Sequence, residues 1–540
     1  MKRLALKRLT AFCMVKDMQI GRYEIMTDAV EVNSKNVLSI LADSKSYFDA
    51  NALMCQRLLD IEAGYMDCVR QKIVRPDIDI KTVDPIAHEI TVFKEGYHWG
   101  IPIAFVQRGN KDSGTEKENK AISLLNECYD AENIGRVQHK LGHYVEICGI
   151  GYTYVDINTD WEDGDSYFKY EFLDPRHTFV IRSSYYSDHR VMAGVSFRTD
   201  NQGNQYFTVF TKKQRFEIFN QKIVNGKENK LEWGFNKKSG EKNPLGMIPI
   251  IEWVRADDRM GCFEREIPEM ERLNLIISDI ANDIDQETQM IWHSNDVEFP
   301  TDENGNEKKP KSNDWVQTYT SRDGKTPFIK PLTTPYDYAG LLNNYSTTRA
   351  LILQRTYTPQ RNDDSGGSTG VAMSDATGWS AADQVASSQQ LLMESSKMDE
   401  VKVVLAAIKK NKNVKADNPL LDLRYMDVMP NITRQKTFEM SVKTTAFANL
   451  VSHGVYGLHA LKAVHFFDDV TQVWEDSKPL IEEYQRTTFG EKEEIQKSSD
   501  LPEYQIGNSP NIDGMSKEQP EKAKENPGST QEQVNNNEKG

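Results

Sequence analysis

The sequence lacks any apolar run of about 18 residues, the length that a membrane-spanning helix requires. We therefore expect no membrane partner. Cysteine is scarce, and none of the 6 cysteines forms a C-x-x-C pair. This pattern favours free, buried thiols in a reducing compartment over a disulfide framework. The cysteines are Cys13, Cys55, Cys68, Cys128, Cys148 and Cys262.

A surplus of positive charge is missing as well. The chain of 540 residues has 66 basic and 81 acidic side chains, and its net charge is −15. Proteins that grip nucleic acid usually carry a basic surplus, because each phosphate contact is made by lysine or arginine. If this protein meets DNA, its overall charge argues against holding it tightly.

No enzyme motif is complete. The glycine-rich stretch "GGSTG" has no following lysine, and a predicted helix rather than a strand precedes it, so it does not meet the requirements of a phosphate-binding loop. His139 and His143 share a helix face, but Lys140 stands where a metalloprotease needs its glutamate. We expect no catalytic residues, no cofactor and no metal.

One metal-dependent alternative stays open. Asp77, Asp79 and Asp84 in "RPDIDIKTVDP" have the chemistry of a metal-dependent nuclease or hydrolase. The plainer interpretation is a solvated edge strand, with Asp77 and Asp79 on one face and Ile78 and Ile80 on the other.

The remaining sequence is rich in helix and strand signals and predicts an α+β fold. Residues 1–35 look like an N-terminal extension, and residues 36–257 alternate helical and strand-like stretches. "AISLLNECYDAENIGRVQHKLGHYVEICGIGYTYVDIN" predicts helix, helix and strand, with Gly149 and Gly151 at the change. "DNQGN" suits the tip of a hairpin.

Two helices then flank a small β-rich projection. Residues 262–292 have helical apolar spacing, and an acidic stripe of Asp279, Asp283 and Glu287 follows one face; it is either functional or a solvated surface. Asn-Gly and Asp-Gly turns and a lysine cluster lie between the helices. The second helix is predicted to begin with Thr334 as its N-cap and Pro335 at its first position.

The stretch "RNDDSGGSTGVAMSDATGWSAADQ" predicts a flexible acidic loop. Ser380 and Asp383 behind it have capping-box spacing, and a long helix follows to about residue 410. Serines in its first half can bond back to the backbone, so we expect a kink. One further strand, helices over 437–486 and a tail of disordered composition from about 491 complete the chain.

The order of these elements resembles the portal proteins of tailed bacteriophages, over roughly residues 40 to 487. "FKEGYHWGIPIAF" (93–105), "FLDPRHTFVI" (172–181) and "NPLGMIPIIEW" (243–253) are similar to segments of that family. The ordered series of strand, helix, clip, helix, loop, kinked helix, strand and helical crown is the most specific sign.

The resemblance implies a siphophage-type subunit with an α/β wing, a two-helix stem, a small β-rich clip, a long kinked helix and a helical crown. Its divisions are an extension over 1–35, the wing over 36–257, stem helices over 258–292 and 335–358 with the clip at 293–334 between them, a tunnel loop over 359–380, the kinked helix and return strand over 381–436, the crown over 437–490 and the tail over 491–540.

Three groups of site residues follow from the resemblance. The channel loop carries Arg361, Asp363, Asp364, Gly366, Gly367, Ser368, Thr369, Gly370 and Trp379. The channel-lining stem carries Asp279, Asp283 and Glu287, and the clip would bind partners through Lys308, Lys309, Lys311 and Trp315. Acidic groups repel phosphates at close range, which suits a conduit that must let DNA slide.

The implied function is a non-enzymatic, dodecameric ring at one capsid vertex. It would serve genome packaging and ejection in the virion, after assembly in the host bacterial cytoplasm. Implied partners are other copies of the chain, non-specifically bound double-stranded DNA, the terminase packaging motor, the major capsid or scaffolding protein and head-tail connector proteins. Another oligomeric virion connector is a further alternative.

Overall fold

The computed structural model describes residues 21–66, 77–108, 116–162, 164–225, 228–236, 240–288, 292–295, 327–331, 337–360, 378–434, 439–464, 470, 473–474 and 477–480. The chain divides into two compact units, Met1–Thr471 and Gln472–Gly540. The described part of the second unit is helical at 473–474 and 477–480. Within these described residues, no helix is long and apolar enough to cross a membrane.

The first unit is a mixed α+β structure, as the sequence predicts. Most of its helices are amphipathic and place one apolar stripe against a sheet or another helix. The helices are α1 (Val37–Glu62), α2 (Ile86–Trp99), α3 (Glu116–Ala131), α4 (Ile134–Cys148), α5 (Ile267–Thr288), α6 (Tyr338–Arg355), α7 (Trp379–Lys410), α8 (Glu439–Ser452) and α9 (Gly457–Val464).

Fourteen strands form four sheets in the described part of the chain. They are β1 (Met26–Thr27), β2 (Ala104–Gln107), β3 (Ile150–Ile157), β4 (Phe168–Leu173), β5 (Thr178–Ser183), β6 (Val191–Thr199), β7 (Gln205–Phe210), β8 (Gln214–Asn225), β9 (Glu228–Phe235), β10 (Glu241–Lys242), β11 (Ile250–Val254), β12 (Trp292–Asn295), β13 (Phe328–Pro331) and β14 (Val428–Asn431).

The largest sheet has seven strands in the order β1-β5-β6-β7-β8-β10, with β9 also paired to β8. A three-stranded sheet has the order β11-β3-β4, and β12-β13 and β14-β2 are two-stranded. All pairs are antiparallel except β1 with β5. The predicted hairpin tip is confirmed: Asp200 accepts hydrogen bonds from the backbone of Gln202 and Asn204 between β6 and β7.

The "LDP" turn links β4 to β5. The Asp174 side chain accepts a hydrogen bond from the Arg176 backbone, and its carbonyl accepts one from His177. The chain changes sheets at this turn: β4 pairs with β3, and β5 with β6.

Three large cores hold the unit together: one joins α1, α2, α4, α5 and α6, and two are built on the sheets. In one of these two, α1 packs on the seven-stranded sheet, where the rings of Phe48 and Phe179 lie 4.7 Å apart. In the other, α3, α4 and α7 enclose the three-stranded sheet around Trp253 and Phe168. Burial of a large apolar side chain contributes roughly 1.5–3 kcal/mol, so these cores are the main source of stability.

Residues 21–35 belong to this body, although the sequence places them in an extension. Arg22, Ile25 and Val32 are buried, and Ile25 and Val32 join the core beneath α1. The sequence does not predict this position, because the segment has few apolar residues. Backbone hydrogen bonds to β5 and to the residue that follows it hold much of the segment in place. Residues 1–20 lie outside the described part.

The cysteine prediction is confirmed where it can be tested, because Cys55, Cys128, Cys148 and Cys262 are buried free thiols. Burial raises the pKa of the Cys262 thiol to about 12 and that of Cys128 to about 11. These thiols behave as small apolar side chains. Cys13 and Cys68 lie outside the described residues.

Candidate functional site

Helices α5 and α6 form an out-and-back pair, in which the chain runs one way along α5 and the opposite way along α6. The sequence predicts two helices at these positions, on either side of a β-rich projection. They pack on each other, and Arg355 at the end of α6 lies 3.4 Å from Glu266, the residue just before α5. Beyond their other ends, β12 and β13 form an antiparallel pair. The chain thus leaves the body along α5 and returns along α6.

The predicted cap of α6 is wrong. The N-cap is Asp337, whose carboxylate accepts a hydrogen bond from the Gly340 backbone at 2.9 Å. A carboxylate satisfies an open N–H group and also interacts favourably with the positive end of the helix dipole. Thr334 and Pro335, the predicted cap and first helical residue, lie outside the described residues.

The acidic residues of α5 are only partly described. Asp279 and Asp283 are half-buried, and each stands one position after a buried polar residue of the same helix. One position corresponds to about 100° around the helix, so the acids and the buried polar residues occupy adjacent faces. The side chain of Glu287 lies outside the described residues, and the channel-lining assignment stays a prediction.

The buried polar face of α5 is the feature that sequence reasoning missed. Asn274, Ser278 and Asn282 recur every fourth residue and are all buried. Together they bind an extended segment, residues 80–84. Asn282 accepts from the backbone of Ile80 at 2.7 Å, Ser278 from Thr82 at 2.9 Å, and Asn274 from Asp84 at 2.8 Å; Ser278 and Asn282 also donate back to the carbonyls of Thr82 and Ile80.

The predicted edge strand at 77–84 is therefore wrong. This segment forms no strand, and helix side chains satisfy its backbone where a neighbouring strand otherwise would. The Asn-x₃-Ser-x₃-Asn spacing on an otherwise apolar helix face is the signal that could have identified it.

Asp84 is engaged by α6. Its carboxylate accepts a hydrogen bond from the Tyr345 hydroxyl and lies 3.4 Å from the Arg349 guanidinium. Burial and the neighbouring carboxylate raise the pKa of Tyr345 to about 12. Asp79 lies 3.8 Å from Lys81. Across the described residues, no group of three or more histidine, cysteine, aspartate or glutamate side chains could hold a metal ion.

The chain leaves α6 through a tightly held turn. Tyr357 has a left-handed backbone with φ 53°, which is uncommon for a residue with a Cβ. The Thr356 hydroxyl bonds back to the Ile352 carbonyl, and the Thr358 amide donates to Leu353 at 2.9 Å. Gln360 then donates to the Ala350 carbonyl at 3.0 Å. The positions up to residue 360 are thus fixed.

Lys94 of α2 holds the same turn from the body. Its ammonium donates to the Tyr357 carbonyl at 3.1 Å, although the lysine is only 1% exposed. Burial lowers the pKa of Lys94 to about 8, and the nearby carboxylate of Glu146 opposes that shift. Glu146 itself is buried and accepts from His98 at 2.7 Å and from Arg255 at 2.9 Å.

Trp379, the second residue described after residue 360, packs on α2. Its ring lies 5.5 Å from Phe93 and 5.7 Å from Tyr97, in edge-on geometry with both. These contacts hold Trp379 on α2. Its assignment to a DNA channel stays a prediction.

The capping box predicted at Ser380 and Asp383 is wrong. Helix α7 begins at Trp379, and its N-cap is Gly378 at φ 87°, two residues before Ser380. Asp383 instead accepts from the Tyr97 hydroxyl at 3.0 Å and from Arg434 at 2.7 Å. The start of α7 is thus held by the ion pair of Asp383 with Arg434 and by the ring contacts of Trp379, and not by a side-chain cap.

Helix α7 is continuous from Trp379 to Lys410. Two of its serines bond back as expected: Ser387 donates to the Asp383 carbonyl at 2.8 Å and Ser388 to Val385 at 2.7 Å. Such bonds bend helices, and the kink itself stays a prediction.

The other predicted site residues lie outside the described part of the chain. In the loop these are Arg361, Asp363, Asp364, Gly366, Gly367, Ser368, Thr369 and Gly370, and in the clip Lys308, Lys309, Lys311 and Trp315. The structure brings the two ends of the loop together on α2 and leaves these assignments as predictions.

Comparison with known proteins identifies one family. The model of the family described as "Phage portal protein, SPP1 Gp6-like" matches residues 79–486. No curated protein matches the chain. Solved structures with some similarity include the neck of the empty GTA particle computed with C6 symmetry, at 8% identity and a TM-score of 0.39, covering 71% of this chain and 90% of that one.

The virion of the native gene transfer agent (GTA) particle is similar at 8% identity, a TM-score of 0.38 and the same coverage. The neck of the native GTA particle computed with C12 symmetry has 8% identity and a TM-score of 0.37, with 71% of this chain and 89% of that one covered.

Proposed function

Because the chain belongs to the SPP1 Gp6-like family of phage portal proteins, we propose that it is a non-enzymatic portal subunit. Copies of it form a ring-shaped channel at one capsid vertex, through which the genome is packaged and later ejected. The observation that carries the proposal is the family match across residues 79–486, which spans both the body and the out-and-back pair α5–α6.

The divisions expected from the sequence are part of this proposal. Helices α5 and α6 form the stem, the chain between them the clip, the two large sheets with α1–α4 and α7 most of the wing, and α8 and α9 the crown. The segment between Gln360 and Gly378 is the loop that touches DNA. Packaging motor, capsid or scaffolding protein and connector proteins bind the assembled ring.

Exposed apolar residues on the proposed stem support assembly. Ile284 on α5 is 51% exposed and Leu342 on α6 is 54% exposed. Exposed apolar surface on a projecting helix pair favours a protein partner, and in a ring the neighbouring copy covers it. This contact repeats around the axis because each copy presents the same two faces.

Electron microscopy and native mass spectrometry of the purified protein test the ring. We expect closed rings with a central hole. Ile284→Asp combined with Leu342→Asp should reduce the ring fraction at least about tenfold, since a buried charge in an apolar contact costs more than 1.4 kcal/mol.

The matched control is Tyr186→Asp, which places the same charge at a fully exposed aromatic residue of the body. It should leave ring formation unchanged. A stable monomer under all assembly conditions, with no ring in any image, contradicts the proposal.

A further inference from the structure

We infer that α2 is a common anchor for both ends of the segment 361–377, and that Lys94 and Trp379 are its positioning residues. The inference depends on the proposed function only where it says that this segment contacts DNA. The anchor itself is built from described residues: Phe93, Lys94 and Tyr97 on one side, Tyr357 and Trp379 on the other.

The first end is held by the buried ammonium group of Lys94. A lysine is rarely buried without a partner, and Lys94 has its ammonium on the Tyr357 carbonyl. That carbonyl belongs to the left-handed residue Tyr357, two positions after the end of α6. A backbone in this conformation persists where surrounding contacts enforce it, and the Lys94 bond is such a contact from outside the turn.

The second end is held by aromatic packing. Trp379 is the first residue of α7, and its ring meets Phe93 and Tyr97 edge-on. The Tyr97 hydroxyl also bonds to Asp383 one turn further along α7. The start of α7 is thereby fixed in position and rotation.

The three contacting residues of α2 are neighbours in space. Residues three or four apart on a helix lie about 5–6 Å apart between Cβ atoms, so Lys94 and Tyr97 place both ends within one turn of the same helix. A shift of α2 moves both ends together. Movement of α2 is in turn coupled to α4, through the pairs His98–Glu146 and Glu95–His143.

The anchor fixes the positions of the residues on both sides of the segment. The described residues on either side of it, Tyr357 and Trp379, both contact α2. A shift of α2 therefore moves both flanks of the segment that the proposed function places on DNA. This is a mechanical link from the body of the subunit to the proposed channel.

Hydrogen–deuterium exchange of the assembled full-length protein tests the anchor. Lys94→Met should raise exchange of the amides of 356–360 about tenfold, because a buried carbonyl contact is lost. Trp379→Leu should raise exchange over 379–386 by a similar factor, and Trp379→Phe, which keeps a ring, should restore most of the protection.

Two matched controls exist. Lys409→Met removes another lysine bond to a backbone carbonyl, that of Leu423, and Trp161→Leu removes the ring contact of another tryptophan, with Tyr167. Neither should change exchange at 356–360 or 379–386. Because the contacts of Trp379 with Phe93 and Tyr97 are ring contacts, its two variants test the anchor even where Lys94→Met fails to fold.

Unchanged exchange at both ends in the Lys94 and Trp379 variants overturns the anchor. DNA packaging by the same variants separates the two proposals. Raised exchange with impaired packaging supports the anchor and its role in transport. Raised exchange with normal packaging supports the anchor and contradicts the proposed contact of the segment with DNA.

Discussion

At the scale of single residues, the least expected feature is a buried ion pair in an aromatic enclosure. Lys397 and Glu400 of α7 are both fully buried and 2.6 Å apart. The Lys397 ammonium lies 4.4 Å from the ring centre of Tyr129 and 5.1 Å from that of Tyr170. Glu400 accepts hydrogen bonds from Tyr129 and Thr153.

The pair fixes α7 against the three-stranded sheet. Burial lowers the pKa of Lys397, and burial next to Glu400 raises the pKa of Tyr129. Each charge is tolerated because the other compensates it and the aromatic faces attract the cation. A rotation or slide of α7 would separate these partners, so the pair specifies the position of the helix.

Removal of one partner should be strongly destabilising. Lys397→Met leaves Glu400 buried without its cation, and we expect a loss of about 3–5 kcal/mol in the free energy of unfolding. The double variant Lys397→Met with Glu400→Gln removes both charges and should recover most of the loss. Denaturant unfolding measures each value.

The control is Lys402→Met, which breaks the exposed pair with Asp399 on the same helix. An exposed pair contributes about 0–1 kcal/mol. If Lys397→Met is no more destabilising than Lys402→Met, the buried pair does not fix the helix.

At the scale of elements, the polar ladder of α5 does what a neighbouring strand does in a sheet. Side chains at every fourth position replace the regular donors and acceptors of a strand, so the amides of Ile80, Thr82 and Asp84 and the carbonyls of Ile80 and Thr82 are bonded to the helix. The segment is also tied to α6 through Asp84, Tyr345 and Arg349. Residues 80–84 thus connect both helices of the proposed stem to the body.

Ser278→Ala should release the middle of this segment. Thr82 loses both its acceptor and its donor on α5, and an unsatisfied buried group costs about 1–3 kcal/mol. We expect faster hydrogen exchange over 80–84 with unchanged exchange in the core strands. Arg272→Ala, at an exposed position of the same helix, is the control, and equal exchange in the two variants contradicts the ladder.

Sequence patterns predicted these elements well and their ends poorly. The helix pair, the hairpins and the long helix follow from periodicity and turn residues. The caps at Asp337 and Gly378 differ from the predicted Thr334 and Ser380, because several residues near each end can cap a helix. The Tyr97 and Arg434 contacts of Asp383 come from segments distant in sequence, and no local pattern contains them.

At the scale of the whole molecule, the acidic balance suits a conduit. The net charge of −15 argues against firm, non-specific binding of DNA. In a ring, one acidic stripe is repeated by every copy, so a modest charge on one helix becomes a strong local field. The half-buried Asp279 and Asp283 stand on a helix of the proposed stem.

Reversal of this charge should slow DNA passage. Asp283→Lys with Glu287→Lys converts each copy from repelling to binding phosphate, and we expect packaging to stall while rings remain intact. A DNA packaging assay measures the rate, with ring integrity checked by microscopy. The effect should weaken at high salt, which screens phosphate contacts.

The charge-matched control is Asp160→Lys with Asp399→Lys, two exposed acids of the body. It changes the net charge equally and should leave the packaging rate unchanged. Unchanged packaging in the stem variant shows that this face does not line the channel or that its charge is irrelevant.

The sequence by itself determined the α+β class, the free thiols, the order of helices and strands, and the out-and-back helix pair. These depend on local periodicity, turn chemistry and composition, which are readable along the chain. Tertiary structure alone decided that β4 and β5 enter different sheets, that residues 80–84 lie on α5, and that α2 holds Tyr357 and Trp379. Each of these joins residues far apart in sequence, where the choice among partners depends on shape and burial in the assembled core.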